Sequence, residues 1–256
     1  MGSLPFPVGL LALQDFYVDS EEQPLIDWEW VGENVTDEIL PALLQHIFLS
    51  FVSVAIALLI ALPVGVAVAR YRRAYAPVTF FTGLLFAIPS LAFFALLVPV
   101  TGVGWVPAVI ALVAYSLLVL IRNVVTGIDS VPAETVDAAR GMGLTKRQIL
   151  FRVELPLALP VIVAGVRIAT VTMIGIATIA AYISAGGLGE LIFRGIGQDF
   201  PTRTIVGATL ATLLAIVADL LLLQLQRLLS PWTRSRRPAA ARADKRPEPS
   251  VVEAGG

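Results

Sequence analysis

Of 256 residues, 57% are hydrophobic and 14% charged, and the mean hydropathy is +0.84; a soluble domain carries about 25% charged residues, so this composition excludes one and points to an integral membrane protein. The formal net charge of −1 gives no reason to expect nucleic acid as a partner. Without cysteine, disulfides, thiol nucleophiles and Cys-based metal sites are excluded.

The N-terminal segment, residues 1–43, carries only acidic charge, from Asp15 to Glu38. Its opening MGSLPFPVGLLALQ is proline-broken and lacks a basic start, so a cleaved signal peptide is not expected. Five windows then stay apolar for the ~20 residues that cross a ~30 Å hydrocarbon layer. They run over Leu44–Ala69, Val78–Val100, Val106–Val125, Ala158–Ile183 and Thr204–Leu229. Open strands would leave backbone groups unpaired in lipid, and the alternation of a barrel is absent, so the fold class is all-α with five spans. From Ser230 the chain is rich in Pro, Ala and charge and is expected to be a disordered tail, with Arg234, Arg236 and Arg237 near anionic lipid.

Basic residues orient the spans, because loops on the cytoplasmic side retain them. The first is Arg70, followed by Arg72 and Arg73; strict alternation from there puts the N-terminus outside, residues 130–156 inside with Arg140, Lys146, Arg147 and Arg152, and the tail inside. Arg194 and Arg203 alone run against the rule.

Residues 130–156 read as two short helices joined by a turn. Pro132 suits a helix start, and Gly143 suits a left-handed residue at the first helix's end. Thr145 followed by Gln148 is a capping box, with Leu144 and Ile149 at the staple positions. The second helix is expected to stop at Pro156, with Pro160 restraining the next span. The resulting helix, glycine, helix wedge would expose Ala138, Ala139, Ile149, Leu150 and Val153. By pattern alone it either lies on lipid headgroups or docks to another protein.

The same segment, DAARGMGLTKRQILFRVELP, resembles the E-A-A-x3-G-x9-I-x-L-P motif of permease subunits in binding-protein-dependent ATP-binding-cassette importers. Asp137 stands for Glu, followed by Ala138, Ala139 and Gly143; Val153 stands for Ile, followed by Leu155 and Pro156. The resemblance implies a coupling helix seated on a cytoplasmic ATPase. FAIPSLAFF, GVGWVPAVIALVAYSLLVLIRN, VELPLALPVIVAGVRIATV and AGGLGELIFRGI are similar to permeases of the glycine betaine, carnitine and choline importers. Methionine-importer permeases share part of the glycine-rich stretch and stand second. The implied fold is the methionine-importer-like helical bundle. The implied partners are ATPase subunits, a second or homologous permease, an extracytoplasmic solute-binding protein and membrane lipid. ATP and Mg would be held by the ATPase, with no cofactor in this chain.

The residues agree with that division of labour. No G-x-x-x-x-G-K-[ST] occurs, and Gly141 to Lys146 lacks its spacing. His46 is the single histidine and Ser184 has no nucleophile context, so an intramembrane enzyme is a remote alternative. A secondary transporter is expected to carry internal repeats, and no convincing one is present. Polar groups within the spans are the candidates for a pathway or gate. Arg167 and Asp219 both fall ~15 Å deep at 1.5 Å per residue, and either pair or, for Arg167, snorkel inward. Pro89 releases the carbonyl near Leu85, which Ser90 could satisfy unless that hydroxyl meets solute; a plain kink is the alternative. Tyr115, with Ser116, lines a route or packs against a neighbouring helix. Gly186, Gly187 and Gly189 form a tight turn, near an external gate if the resemblance holds.

Overall fold

The computed structural model describes residues 24–230. Most of the N-terminal segment, and the tail beyond Ser230, lie outside the described residues, with the expectations placed on them.

Asp27 caps α1 (Trp28–Glu33) by accepting from the Trp30 N–H, at 3.0 Å. A π-turn, Val35–Ile39, leads into α2 (Leu40–Arg70). The first apolar helix thus begins well before Leu44, because Pro41 in its first turn lacks an N–H that would have had no partner.

The second apolar window is not one straight helix. It divides into α3 (Tyr75–Ala87) and α4 (Ser90–Thr101), which meet at 94°. Ile88 and Pro89 are both extended, with ψ of 128° and 133°, as expected where a proline excludes helical backbone from the residue before it. The Leu85 carbonyl is not the orphan that the sequence predicts, since the Ile88 N–H reaches it at 3.4 Å. The acceptor in need is the Ile88 carbonyl, and Tyr115 donates its hydroxyl to it at 2.7 Å across a separation of 27 residues. Phe86 and Phe93 set their rings edge-on to Tyr115. Tyr115 is 2% exposed and braces the bend from within the bundle. Tyr115→Phe removes one buried hydrogen bond and should cost about 1 kcal/mol. Thermal unfolding of the detergent-solubilised protein should show a midpoint lower by a few degrees, while an unchanged midpoint would deny the brace.

α5 (Trp105–Asp129) is the central helix and packs on both α2 and α8. Residues 130–154 leave the bundle as α6 (Ala133–Gly141), α7 (Lys146–Ile149) and a π-turn, Leu150–Glu154. The chain then continues as α8 (Leu155–Ala180), so Pro156 does not end the helix as predicted. In the π-turn the Leu155 N–H reaches back to the Leu150 carbonyl, and this wider turn makes room for a proline ring that would strike the carbonyl four residues earlier in a regular α-helix. α9 (Leu188–Gly197) and α10 (Pro201–Leu229) complete the fold.

The seams between α2, α5 and α8 are lined by fully buried alanines, among them Ala57, Ala61, Ala111, Ala158 and Ala177. Small residues let helices approach closely where lipid supplies no hydrophobic drive. α10 packs chiefly on α8 and α9, and its first turns also meet Glu38 and Trp30 through Arg203. Of its most apolar window 17% is buried within the chain, against 61% for α5, so most of α10 faces lipid or another subunit.

The two ends of the bundle differ in chemistry. At one lie Arg70, Arg72, Asp129 and the inserted helices; at the other the Gly104 N–H donates to the Ile183 carbonyl, at 2.9 Å. The bent pair α3–α4 runs from the first end to the second and crosses the bundle. Among the described residues four straight helices are long and apolar enough to cross a membrane, and the bent pair, taken as one span, makes five.

Candidate coupling element and pathway

α6 ends in a Schellman turn. The Leu144 N–H donates to the Ala139 carbonyl at 3.2 Å and the Gly143 N–H to the Arg140 carbonyl at 3.0 Å, with Gly143 at φ 82°. The capping box forms around α7: Thr145 N–H donates to Gln148 Oε1 at 2.8 Å, and Gln148 N–H to Thr145 Oγ1 at 3.3 Å. The insert is therefore fixed by its own hydrogen bonds. Its exposed face differs from the one predicted. Ala139 and Ile149 are 2% and 4% exposed and turn inward, because the two helices fold back on each other and on the π-turn. Ala138 is exposed, with Met142 and Phe151, while Leu150 and Val153 are half-buried. Asp137 pairs with Arg140 one turn on, at 2.7 Å.

One ion pair fastens the insert to the bundle, and a second closes the bundle beside the point where the insert leaves it. Arg70, the last residue of α2, bonds Glu154 of the π-turn, and Arg72 bonds Asp129 of α5 at 2.8 Å. Glu154 is buried, next to the motif's Val153 and Leu155. Sequence reasoning passed over it. The signal was present: Glu154 is the only acid between Asp137 and Glu190, at a span entrance facing the Arg70 to Arg73 run.

At the other end, Gly186 and Gly187 take φ of 76° and 78°, and α2 reads their backbone. Gln45 Nε2 donates to the Ala185 carbonyl at 2.8 Å, and its Oε1 accepts from the Gly187 N–H at 3.3 Å. The Leu188 N–H donates to His46 Nδ1 at 3.3 Å, which leaves His46 Nε2 as the donor to the Ile174 carbonyl at 3.0 Å. The fully buried His46 thus ties α2, α8 and α9 together. Neither Gln45 nor His46 stood out in the sequence, where a lone histidine has no motif. Gly189 lies flat on α8, where an added Cβ would be 1.9 Å from the Thr178 carbonyl oxygen.

The two arginines at odds with the charge rule are both paired. Arg203 bonds Glu38 at 2.9 Å with its guanidinium 5.1 Å above the Trp30 ring, and Arg194 bonds Glu190.

Arg167 and Asp219 do meet. Arg167 Nε and Nη2 donate to the two carboxylate oxygens of Asp219, each at 2.9 Å. Nη1 donates to Gln226 Oε1 at 3.1 Å, and Gln226 Nε2 donates to the Pro160 carbonyl at 2.9 Å. A bidentate clasp therefore joins α8 to α10 and borders a groove of about 640 Å³. Pro89 and Ser90 lie at the bend, away from this groove, and the glycine turn caps the far end of the bundle.

Residues 60–235 match the family described as binding-protein-dependent transport system inner membrane component. The chain belongs to that family. Among relatives of this inner-membrane component, the glycine betaine/carnitine/choline transport system permease protein OpuCB of Bacillus subtilis is 39% identical, over 73% of this chain and 86% of its own length. The osmoprotectant import permease protein OsmW of Salmonella typhimurium is 44% identical, over 73% and 89%. An inward-facing structure of the MetNI methionine ABC transporter superposes with a TM-score of 0.70 at 24% identity, covering 77% of this chain and 98% of that one, which establishes the shared fold. The chain is the permease subunit of an ATP-driven importer, an inner-membrane component with several spans, and hydrolysis belongs to a partner ATPase. Membership also implies a solute-binding protein.

Proposed function

We propose that this permease forms the translocation pathway for a small osmoprotectant such as glycine betaine, choline or carnitine. The substrate class rests on relatives at about 40% identity whose names carry those solutes. Residues 44–229 form the transmembrane domain, with the N-terminus outside and the tail in the cytoplasm. The insert, carrying Asp137, Ala138, Ala139, Gly143, Val153, Leu155 and Pro156, seats on the ATPase. Two permeases, identical or homologous, stand over two ATPases that hold ATP and Mg, and the binding protein docks outside.

One observation carries the coupling role: an internally capped insert, fixed by Arg70–Glu154 to the end of α2 and continuous with α8, transmits displacement where a loose loop would absorb it. ATP has differential affinity for two arrangements of the ATPase pair, and the bundle follows whichever is favoured. Gly143→Val puts a β-branched residue at φ 82°, a region closed to it without strain. ATP-driven uptake should fall several-fold while the complex still assembles.

The test is radiolabelled glycine betaine uptake by vesicles holding permease, ATPase and binding protein. Uptake should require ATP on the ATPase side. Uptake driven by an ion gradient without ATP would overturn the reading.

A further inference from the structure

We infer that the cavity between the end of α2 and the insert is an anion site, built for a phosphate group. It does not depend on which solute is carried.

The cavity measures about 370 Å³, within the ~300–1,000 Å³ range of small-molecule sites. Its walls come from two bodies. The end of α2 supplies Arg70 and the residue after it, Tyr71; the insert supplies Arg140 from α6, Lys146 from α7 and Glu154 from the π-turn.

Charge decides the occupant. Three cations face the cavity against one carboxylate, and that carboxylate is already held, since Glu154 is buried and bonded to Arg70. Arg140 has a partner in Asp137, but both side chains are exposed, so water screens the pair and it offsets little of the excess. Lys146 pairs with no carboxylate among the described residues. Like charges gathered around a concavity focus a positive potential on the space between them, and an anion entering that space relieves their repulsion.

The donors select the kind of anion. Among the described residues Arg70 spends one N–H on Glu154 and Arg140 one on Asp137, which leaves the rest of each guanidinium's five, the three of the Lys146 ammonium and the hydroxyl of the exposed Tyr71. They approach from different elements and so from different sides. A planar carboxylate accepts within its own plane, whereas the tetrahedral oxygens of a phosphate accept from several directions and also match the arginine fork. Arg70 ends a membrane helix, so the cavity lies at headgroup depth, where a phosphate arrives either from the aqueous phase or on an anionic phospholipid. Bound there, it bridges the insert to α2 beside the Arg70–Glu154 pair.

The unfolding midpoint of the full permease in detergent, at constant ionic strength, tests this with two probes: inorganic phosphate in place of chloride, and phosphatidylglycerol in place of phosphatidylcholine. At least one should raise the midpoint by roughly 3 °C or more. A rise with phosphate identifies the aqueous source, and a rise with phosphatidylglycerol alone the lipid one. The rise should vanish in Arg140→Gln with Lys146→Gln and persist in Arg147→Gln with Arg152→Gln, which removes the same charge from positions outside the cavity. All four side chains are exposed, so neither pair disturbs the packing. A midpoint indifferent to both probes, or a rise lost equally in both double variants, would overturn the inference.

Discussion

Asp219→Ala is expected to lose roughly 3 kcal/mol of stability, the low end for breaking a buried ion pair. The loss comes from what is left behind: Arg167 keeps its charge ~15 Å into the bilayer, with only Gln226 to receive a hydrogen bond. The low end applies because the two side chains are 23% and 37% exposed. In a span that exposure faces hydrocarbon or the groove, so screening by bulk water is limited. Replacing both partners, as Arg167→Met with Asp219→Leu, removes the stranded charge and should return the unfolding midpoint, measured in detergent, to near the wild-type value. A single variant as stable as the wild type would show that the clasp does not hold α10 to α8.

Gly189→Ala should be more damaging than its size suggests. The added methyl would be 1.9 Å from the Thr178 oxygen and 2.6 Å from its carbonyl carbon, both backbone atoms of α8 that no rotamer change can move. α9 would have to lift from α8, carrying the fully buried Leu188 and straining its bond to His46. A cost of at least about 3 kcal/mol follows, the upper end for overpacking. Gly186→Ala is the informative companion. Its methyl meets the Gln45 side-chain amide first, at 2.2 Å, and that amide can swing aside at the loss of its bonds to Ala185 and Gly187, although the positive φ still opposes alanine. Recovery of monodisperse protein should rank wild type, then Gly186→Ala, then Gly189→Ala. The reverse order would contradict the close approach of α9 to α8.

Legibility in the sequence followed the range of the interactions. Hydropathy marked the membrane windows because the bilayer demands an unbroken apolar length. Gly143 and the Thr145/Gln148 pair stood out because a left-handed turn and a capping box are decided within a few residues. Arg167 and Asp219 could be set at equal depth because helical rise converts sequence distance into depth. Interactions across the chain were hidden. Pro89 foretold a kink, but a 94° break also needs the hydroxyl of Tyr115 from another helix. Pro156 looked like a stop because nothing nearby announces a π-turn. The inward turn of Ala139 and Ile149 depends on how two short helices fold together, and Glu154 acquires its role only where Arg70, 84 residues earlier, arrives beside it.

The central claim is that the insert is a rigid lever pressed into an ATPase on the cytoplasmic face, and a single cysteine tests it most directly. Ala138 is the exposed small residue of the motif, in a chain with no other thiol to interfere. Ala138→Cys, in the assembled transporter with a cysteine in the ATPase groove, should form a disulfide whose yield changes when ATP is added and whose formation stops uptake. Labelling of Ala138→Cys by a membrane-impermeant thiol reagent from outside intact cells, or full ATP-driven uptake with the disulfide formed, would contradict the account.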